Sequence, residues 1–166
     1  HLHATIRRQR QMCIRDSAWA WDPVPAEMDP VTAEDVAAGA TYTRGTANAW
    51  SMLSGDEALG LVYVPMGNAA PDHYGGERHG LGRYASAVVA LNAETGELVW
   101  DFKTVYHDVW DYDVASQPVL YTHPGGIPAL AQATKMGHLF LLDRRTGEPI
   151  FPCLLYTSDA ADEWLR

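Results

Sequence analysis

The chain has 166 residues, with 21 acidic against 12 basic side chains and a formal net charge of −9. That balance argues against a nucleic-acid partner, because phosphate contacts draw on Lys and Arg, and an apolar fraction of 47% is ordinary for a globular chain and too high for disorder. No run approaches the roughly 20 apolar residues of a membrane helix, and two cysteines are too few for a disulfide framework or a zinc-finger pattern.

In chain order, residues 11–17 show neither apolar period nor turn logic, and residues 1–10 have no assignable origin. Residues 12–17 can be written as the codons ATG TGT ATA AGA GAC AGC, which resembles a transposase adapter used in sequencing libraries, read in frame. Residues 153–163 can be written as the reverse complement of the same adapter running into its extension. The expected division is an adapter-derived segment at 1–17, a gene product at 18–152 and adapter read-through at 153–166. Both cysteines, Cys13 and Cys153, then fall in adapter and carry no information on redox compartment. The arginines at 7, 8, 10 and 15 likewise do not make a basic arm.

The stretch between reads as strand and turn. One helix-like window, 30–38, has Asp29 as a cap, Pro30 at the first helical position and Glu34 in the first turn. It carries few large apolar groups, so a short surface helix or loop is expected. Short runs rich in Val, Tyr and Leu predict strands at 61–64, 87–91 and 139–142, each bounded by glycine, proline or Asn/Asp clusters. Residues 90–100 (ALNAETGELVW) align with 141–151 (LLDRRTGEPIF), an offset of 51. Both read strand, Asn or Asp, two residues, a Thr-Gly turn in which glycine accepts positive φ, then a strand ending in an aromatic. Trp19 looks like the tail of a third copy. A period of about 50 residues with short strands is that of a β-propeller blade. The expected fold is all-β, a partial propeller of two to three blades with the terminal aromatics packed between blades; two similar hairpins in a sandwich are the alternative. Such a partial propeller leaves sheet edges open and is expected to fold poorly alone.

Residues 90–100 resemble the tryptophan-docking motif of the pyrroloquinoline quinone (PQQ) dehydrogenases, eight-bladed quinoprotein propellers. Trp50-x4-Gly55-Asp56-x3-Gly60-Leu61-Val62-Tyr63-Val64-x2-Gly67-x2-Ala70-Pro71 resembles a second motif of that family, departing at Gly55 and Gly60, both expected in turns. His107-Asp108-Val109-Trp110-Asp111-Tyr112-Asp113, followed by Gln117-Pro118, resembles its active-site segment. Lys135-Met136-Gly137 through Asp143-Arg144-Arg145-Thr146-Gly147 resembles the next blade of the membrane-bound glucose dehydrogenase branch.

The resemblance implies a chemistry. PQQ is a flat ortho-quinone with three carboxylates, which needs an aromatic floor, a divalent cation (Ca²⁺ or Mg²⁺) and a positive group near its carbonyls, while hydride transfer from an alcohol needs a base for the hydroxyl proton. On this resemblance Asp111 is the base and also a metal ligand. Asn68 is a metal ligand through its amide oxygen, which hard Ca²⁺ accepts. Trp50 is the floor under the ring, and Lys135 is the cation beside the quinone oxygens and an aid to catalysis. His107 orients the aspartates or contacts substrate. Thr46, Asn48 and Gln117 are polar contacts to the cofactor, and Asp108 and Asp113 serve structure or hydrogen-bond the site from behind. His73, His79, His123 and His138 have no metal spacing and read as loop or surface, and Arg144-Arg145 as hairpin.

The function implied is oxidation of a sugar or polyol hydroxyl, glucose-type, with electrons passed to ubiquinone at the periplasmic face of the bacterial inner membrane. Membrane attachment would lie in segments outside this chain. Tyr106 stands where that branch commonly has a second histidine, which puts glucose itself in doubt. Two other readings are a soluble periplasmic PQQ alcohol dehydrogenase with a cytochrome c acceptor, and a non-catalytic PQQ-repeat scaffold. The scaffold would keep the docking repeats and lose Asp111, Lys135 and Trp50.

Overall fold

The computed structural model describes residues 17–23, 46–78 and 80–151. The helix-like window at 30–38, His79 and residues 1–16 and 153–166 lie outside the described residues. Strands β1 (Ser54–Asp56), β2 (Leu61–Pro65), β3 (Ala87–Asn92) and β4 (Leu98–Lys103) form one antiparallel sheet in sequential order. A second antiparallel sheet holds β5 (Val119–His123), β6 (Ile127–Ala133) and β7 (Leu139–Asp143). A bridge from Leu142 to Pro149 begins a further pairing on the outer side of β7. Among the described residues there is no α-helix, only 3-10 turns at Gly75–Glu77 and Leu81–Tyr84. Four sequential antiparallel strands are a propeller blade, and the second sheet is the next blade up to the start of its last strand. The strands expected at 61–64, 87–91 and 139–142 are β2, β3 and β7. Gly55, expected in a turn, instead lies in β1 opposite Val62, and His123, expected in a loop or at the surface, is half-buried at the end of β5. Gly60 is the turn residue, with φ +65°.

Each strand splits its side chains between two apolar layers, as the two-residue period of a strand requires. Leu61, Tyr63, Val88, Ala90 and Trp100 face the second blade and pack with Val114, Leu130 and Leu142. Val64, Val89 and Leu91 face the other way, join Ala47, Met66, Ala69 and Ala85, and are met by Trp19, Trp21, Val62 and Tyr84. The β3 run Ala87–Leu91 is fully buried because both of its faces are covered.

The repeat is a repeat of contacts. In each Thr-Gly hairpin the leading Asn or Asp binds the turn: Asn92 Oδ1 accepts the Glu94 and Thr95 N–H groups at 2.9 and 3.1 Å, and Asp143 Oδ1 accepts that of Arg145 at 2.9 Å. Gly96 and Gly147 both adopt φ +76° and donate to the carbonyls of Asn92 and Asp143 at 2.8 Å. The indole of Trp19 lies on Gly96, where a Cβ would come within 2.5 Å of the ring, and that of Trp100 lies on Gly147, at 2.6 Å. Trp19 Nε1 donates to the Ala93 carbonyl at 3.0 Å and Trp100 Nε1 to the Arg144 carbonyl at 3.2 Å. Trp19 is therefore the end of a third copy, docked on the first described blade.

Arg144 closes the seam between the blades. Its carbonyl also accepts the Tyr63 hydroxyl at 2.9 Å, and its guanidinium pairs with Asp56 at 2.6 Å and donates to the Tyr121 carbonyl at 3.0 Å. Burial first, and the Asp56 charge second, push the Tyr63 phenol well above the ordinary tyrosine range, so it stays a donor. In any protein containing both blades, Trp100→Ala should cost about 3–5 kcal/mol, and Gly147→Ala about 2–4 kcal/mol from left-handed strain plus overpacking. In a double-mutant cycle by urea unfolding, Gly147→Ala should cost less once Trp100 is already Ala, because the ring it would strike is gone. Strictly additive costs would show that the two do not pack.

Candidate functional site

The segment between β4 and β5 carries His107, Asp108, Asp111, Asp113 and Gln117, and the β6–β7 turn brings Lys135 to two of them. That turn closes through the Gly137 N–H to the Thr134 carbonyl at 3.0 Å, with Gly137 at φ +79°, and so presents Lys135. Lys135 Nζ donates to Asp113 Oδ2 at 2.8 Å, to the Asp111 carbonyl at 2.9 Å and to Asp111 Oδ2 at 3.3 Å. The hydrogen bond to Asp113, aided by Asp111 and opposed by burial, holds the Lys135 ammonium above the ordinary lysine range. It is therefore a fixed positive charge at neutral pH. The two aspartates differ in setting. The Asp113 side chain is largely covered and its Oδ1 accepts the Asn68 N–H, whereas the Asp111 side chain keeps 40% of its surface exposed. Asp111 also has φ +62°, one of two non-glycine residues in that region among those described.

Trp50 stands over the same lysine, with Nζ 6.0 Å from the ring centroid, and is 56% exposed. Its neighbour is Gly67, where a Cβ would lie 2.8 Å from Asn48 Oδ1, 3.0 Å from Asp113 Oδ1 and 3.1 Å from Trp50 Cδ1. Only glycine lets these three side chains converge. The Gly67 N–H donates to the Asn48 carbonyl at 2.7 Å, which fixes the 46–50 segment against the end of β2. Asn68 is buried; its Oδ1 accepts the Ala69 N–H at 2.8 Å and its Nδ2 donates to the Asp72 carbonyl at 3.1 Å.

The structure thus gathers Asn48, Trp50, Asn68, Asp111 and Lys135 around Gly67 and Asp113. Thr46 is half-buried at the head of the same segment and is not among the residues meeting at Gly67. Gln117 turns away, its amide donating to the Leu53 carbonyl at 3.0 Å. His107 packs against Gly75, where a Cβ would come within 2.5 Å of its ring, and lines a cavity of about 350 Å³ shared with Asn68, Arg78, Lys103 and Asp108. Burial, and then the charge of Arg83, bring the Lys103 ammonium there down to about 8. Sequence reasoning gave no particular place to Gly67 or Lys103; the first shows only as one glycine within the Trp50 motif, and the second carries no motif at all.

The fold is that of a quinoprotein propeller. A family model described as glucose/ethanol/alcohol dehydrogenase, beta-propeller domain, matches residues 16–157, and the chain belongs to that PQQ family. It is 47% identical over 140 residues to the glycerol dehydrogenase large subunit of Gluconobacter oxydans (strain 621H), a match covering 81% of this chain and 18% of that protein. It is 44% identical over 139 residues to quinoprotein glucose dehydrogenase A of Acinetobacter calcoaceticus, covering 81% of this chain and 17% of that protein. Among solved structures, the quinohemoprotein alcohol dehydrogenase ADHIIG from Pseudomonas putida HK5 superposes with a TM-score of 0.60 at 34% identity, over 64% of this chain and 16% of that one. The chain therefore spans under a fifth of the length of the curated relatives named here.

If Asp113 sets the charge of Lys135, Asp113→Asn should bring the lysine's titration down toward the ordinary lysine value. A carbon-13 NMR titration of the Lys135 Cε would read this, and an unmoved midpoint would contradict it.

Proposed function

We propose that this chain is the active-site part of a PQQ-dependent dehydrogenase that oxidises a hydroxyl of an aldose sugar or a polyol. The observation that carries the reading is one lysine held by two aspartates beside an exposed indole face: Lys135 on Asp111 and Asp113, with Trp50 above it. A flat anionic quinone fits such a place. Trp50 offers an open aromatic face and Lys135 a permanent cation at its rim, while buried Gly67 lets Trp50, Asn48 and Asp113 come together behind them. When bound, PQQ supplies the ortho-quinone that accepts hydride from the alcohol carbon. Asp111, the more exposed of the two carboxylates and lightly held by Lys135, takes the hydroxyl proton at its carboxylate. Lys135, held by Asp113, would stabilise negative charge on the oxygens of a bound quinone.

The same proposal gives Asn68 and Asp111 as oxygen donors to a Ca²⁺ or Mg²⁺ ion. Among the described residues no three His, Cys, Asp or Glu side chains gather as a metal cage. Two oxygens are a fraction of the roughly six to eight that calcium takes, so other groups complete the shell. His107 and Thr46 remain proposed contacts, to substrate and cofactor respectively. The relatives named for glycerol and glucose support a polyol or sugar over a simple alcohol. We extend the proposal to ubiquinone as electron acceptor and to the periplasmic face of the inner membrane. Among the described residues no helix is long and apolar enough to cross a membrane, and attachment is assigned to segments outside them. The joint presence of Asp111, Lys135 and Trp50 in one cluster weighs against the scaffold reading.

In the full-length enzyme carrying this segment, Asp111→Asn should lower kcat by about 10²- to 10⁴-fold while PQQ content is retained. Unchanged turnover would remove Asp111 from catalysis. The division into adapter at 1–17 and 153–166 and propeller at 18–152 is tested by one long DNA read across both junctions. Loss of Cys13 and Cys153 with propeller sequence continuing outward supports it, and an uninterrupted gene encoding both cysteines overturns it.

A further inference from the structure

We infer that Asp108 is a positioning residue that sets the backbone conformation of Asp111 and so aims its carboxylate; the inference rests on the reading of Asp111 as the base. Asp108 is 3% exposed, yet its carboxylate makes no ion pair among the described residues. It is spent instead on three neutral donors. Oδ1 accepts the Trp110 N–H at 3.0 Å, and Oδ2 accepts the Tyr112 N–H at 2.8 Å and the Ser86 hydroxyl at 2.6 Å. The two amides flank Asp111 on either side. With both neighbours drawn onto one carboxylate, the residue between them is forced outward, and Asp111 takes φ +62°.

A left-handed conformation at a residue other than glycine persists only where its surroundings over-determine it, and here the surroundings are identifiable. Ser86 is the other non-glycine residue with positive φ, at +48°, and is wholly buried. Its carbonyl accepts the Thr104 N–H at 2.9 Å and hydroxyl at 2.7 Å, and its N–H donates to the Gly67 carbonyl at 3.0 Å. The Asp108 carbonyl is held in turn by Arg78, whose other nitrogens donate to the carbonyls of Pro71 and Asp72. The two strained residues are thus joined through one buried carboxylate, which is anchored to the Gly67 corner where Trp50 and Asn48 meet. Asp108 touches neither Trp50 nor Lys135 in the contacts of this site. Its effect passes through the Asp111 backbone.

The test uses the full-length holoenzyme. Asp108→Asn keeps the size but turns one of the two acceptor oxygens into a donor, so whichever way the amide lies at least one backbone N–H of the pair flanking Asp111 loses its acceptor. The expected result is a fall in kcat of about a hundredfold, the scale of a small misplacement of a reacting group. KM should stay within about twofold, PQQ content should be unchanged, and the substrate deuterium isotope effect should be at least as large as in the wild type. A wild-type kcat would overturn the inference. So would a loss of kcat that tracks lost PQQ or a rising KM, because that is the mark of general structural damage. If Asp108→Asn does not fold, Ser86→Ala decides, since it removes one of the three donors. A several-fold drop in kcat at constant KM supports the inference, and wild-type kcat overturns it. Asp111→Asn run in parallel separates the two levels. Full activity there sinks the base assignment and this inference with it, whereas an inactive Asp111→Asn beside a fully active Asp108→Asn sinks the positioning role alone.

Discussion

An indole ring laid flat on a glycine of the next hairpin, with its N–H given to the carbonyl three residues earlier, occurs twice in this chain and holds its blades in register. Trp19 makes it with Gly96 and Ala93, and Trp100 with Gly147 and Arg144. The glycine is required twice over, by its positive φ and by the ring above it. The geometry fixes one sheet against the next at a set spacing, which a layer of aliphatic side chains alone would leave free to slide. Arg144 adds polar bonds at the same seam, so the apolar layer of Tyr63, Val88, Leu130 and Leu142 is bounded by bonds with direction.

The site is a consequence of that register. Lys135 belongs to the second blade, Trp50 and Asn68 to the first, and Asp111 and Asp113 to the segment joining them. Their distances hold only while the seam does. Asp113 binds the Asn68 backbone on one side and Lys135 on the other, spanning the blades with a single carboxylate. The three aspartates of one short motif thus divide the labour. Asp108 shapes the turn, Asp113 ties the blades, and Asp111 is left with the exposed side chain. Of the three, Asp111 is the one with a substantially exposed carboxylate, which is why the base is proposed there.

Much of this could be read from the residues. Strands β2, β3 and β7 are short apolar runs between turn residues, and the aligned Thr-Gly hairpins announced a repeat whose terminal Trp needed a partner. The joint choice of Trp50, Asn68, Asp111 and Lys135 came from the family resemblance of their motifs, not from their spacing. What stayed hidden depends on contacts between distant residues. Three residues of Ser-Gly-Asp carry no strand signal, and only the pairing of Gly55 with Val62 distinguishes β1 from a turn. Arg144 read as an ordinary hairpin arginine, because nothing local reveals that its carbonyl receives both Tyr63 and Trp100. The order of importance among Asp108, Asp111 and Asp113 turns on burial and on one dihedral angle, and neither is written in the spacing. Gln117 was expected at the cofactor and bonds to the β1 approach instead.

The Trp50–Lys135–Asp111 cluster is the proposed place where PQQ is held and substrate oxidised. The most direct measurement is an experimental structure of the PQQ-loaded full-length enzyme carrying this segment. The expected result is the quinone ring lying on the Trp50 indole, with Lys135 Nζ in hydrogen-bond contact with its oxygens and the Asp111 carboxylate open to the substrate side. A quinone bound elsewhere, with Trp50 and Lys135 facing solvent or another blade, would contradict it.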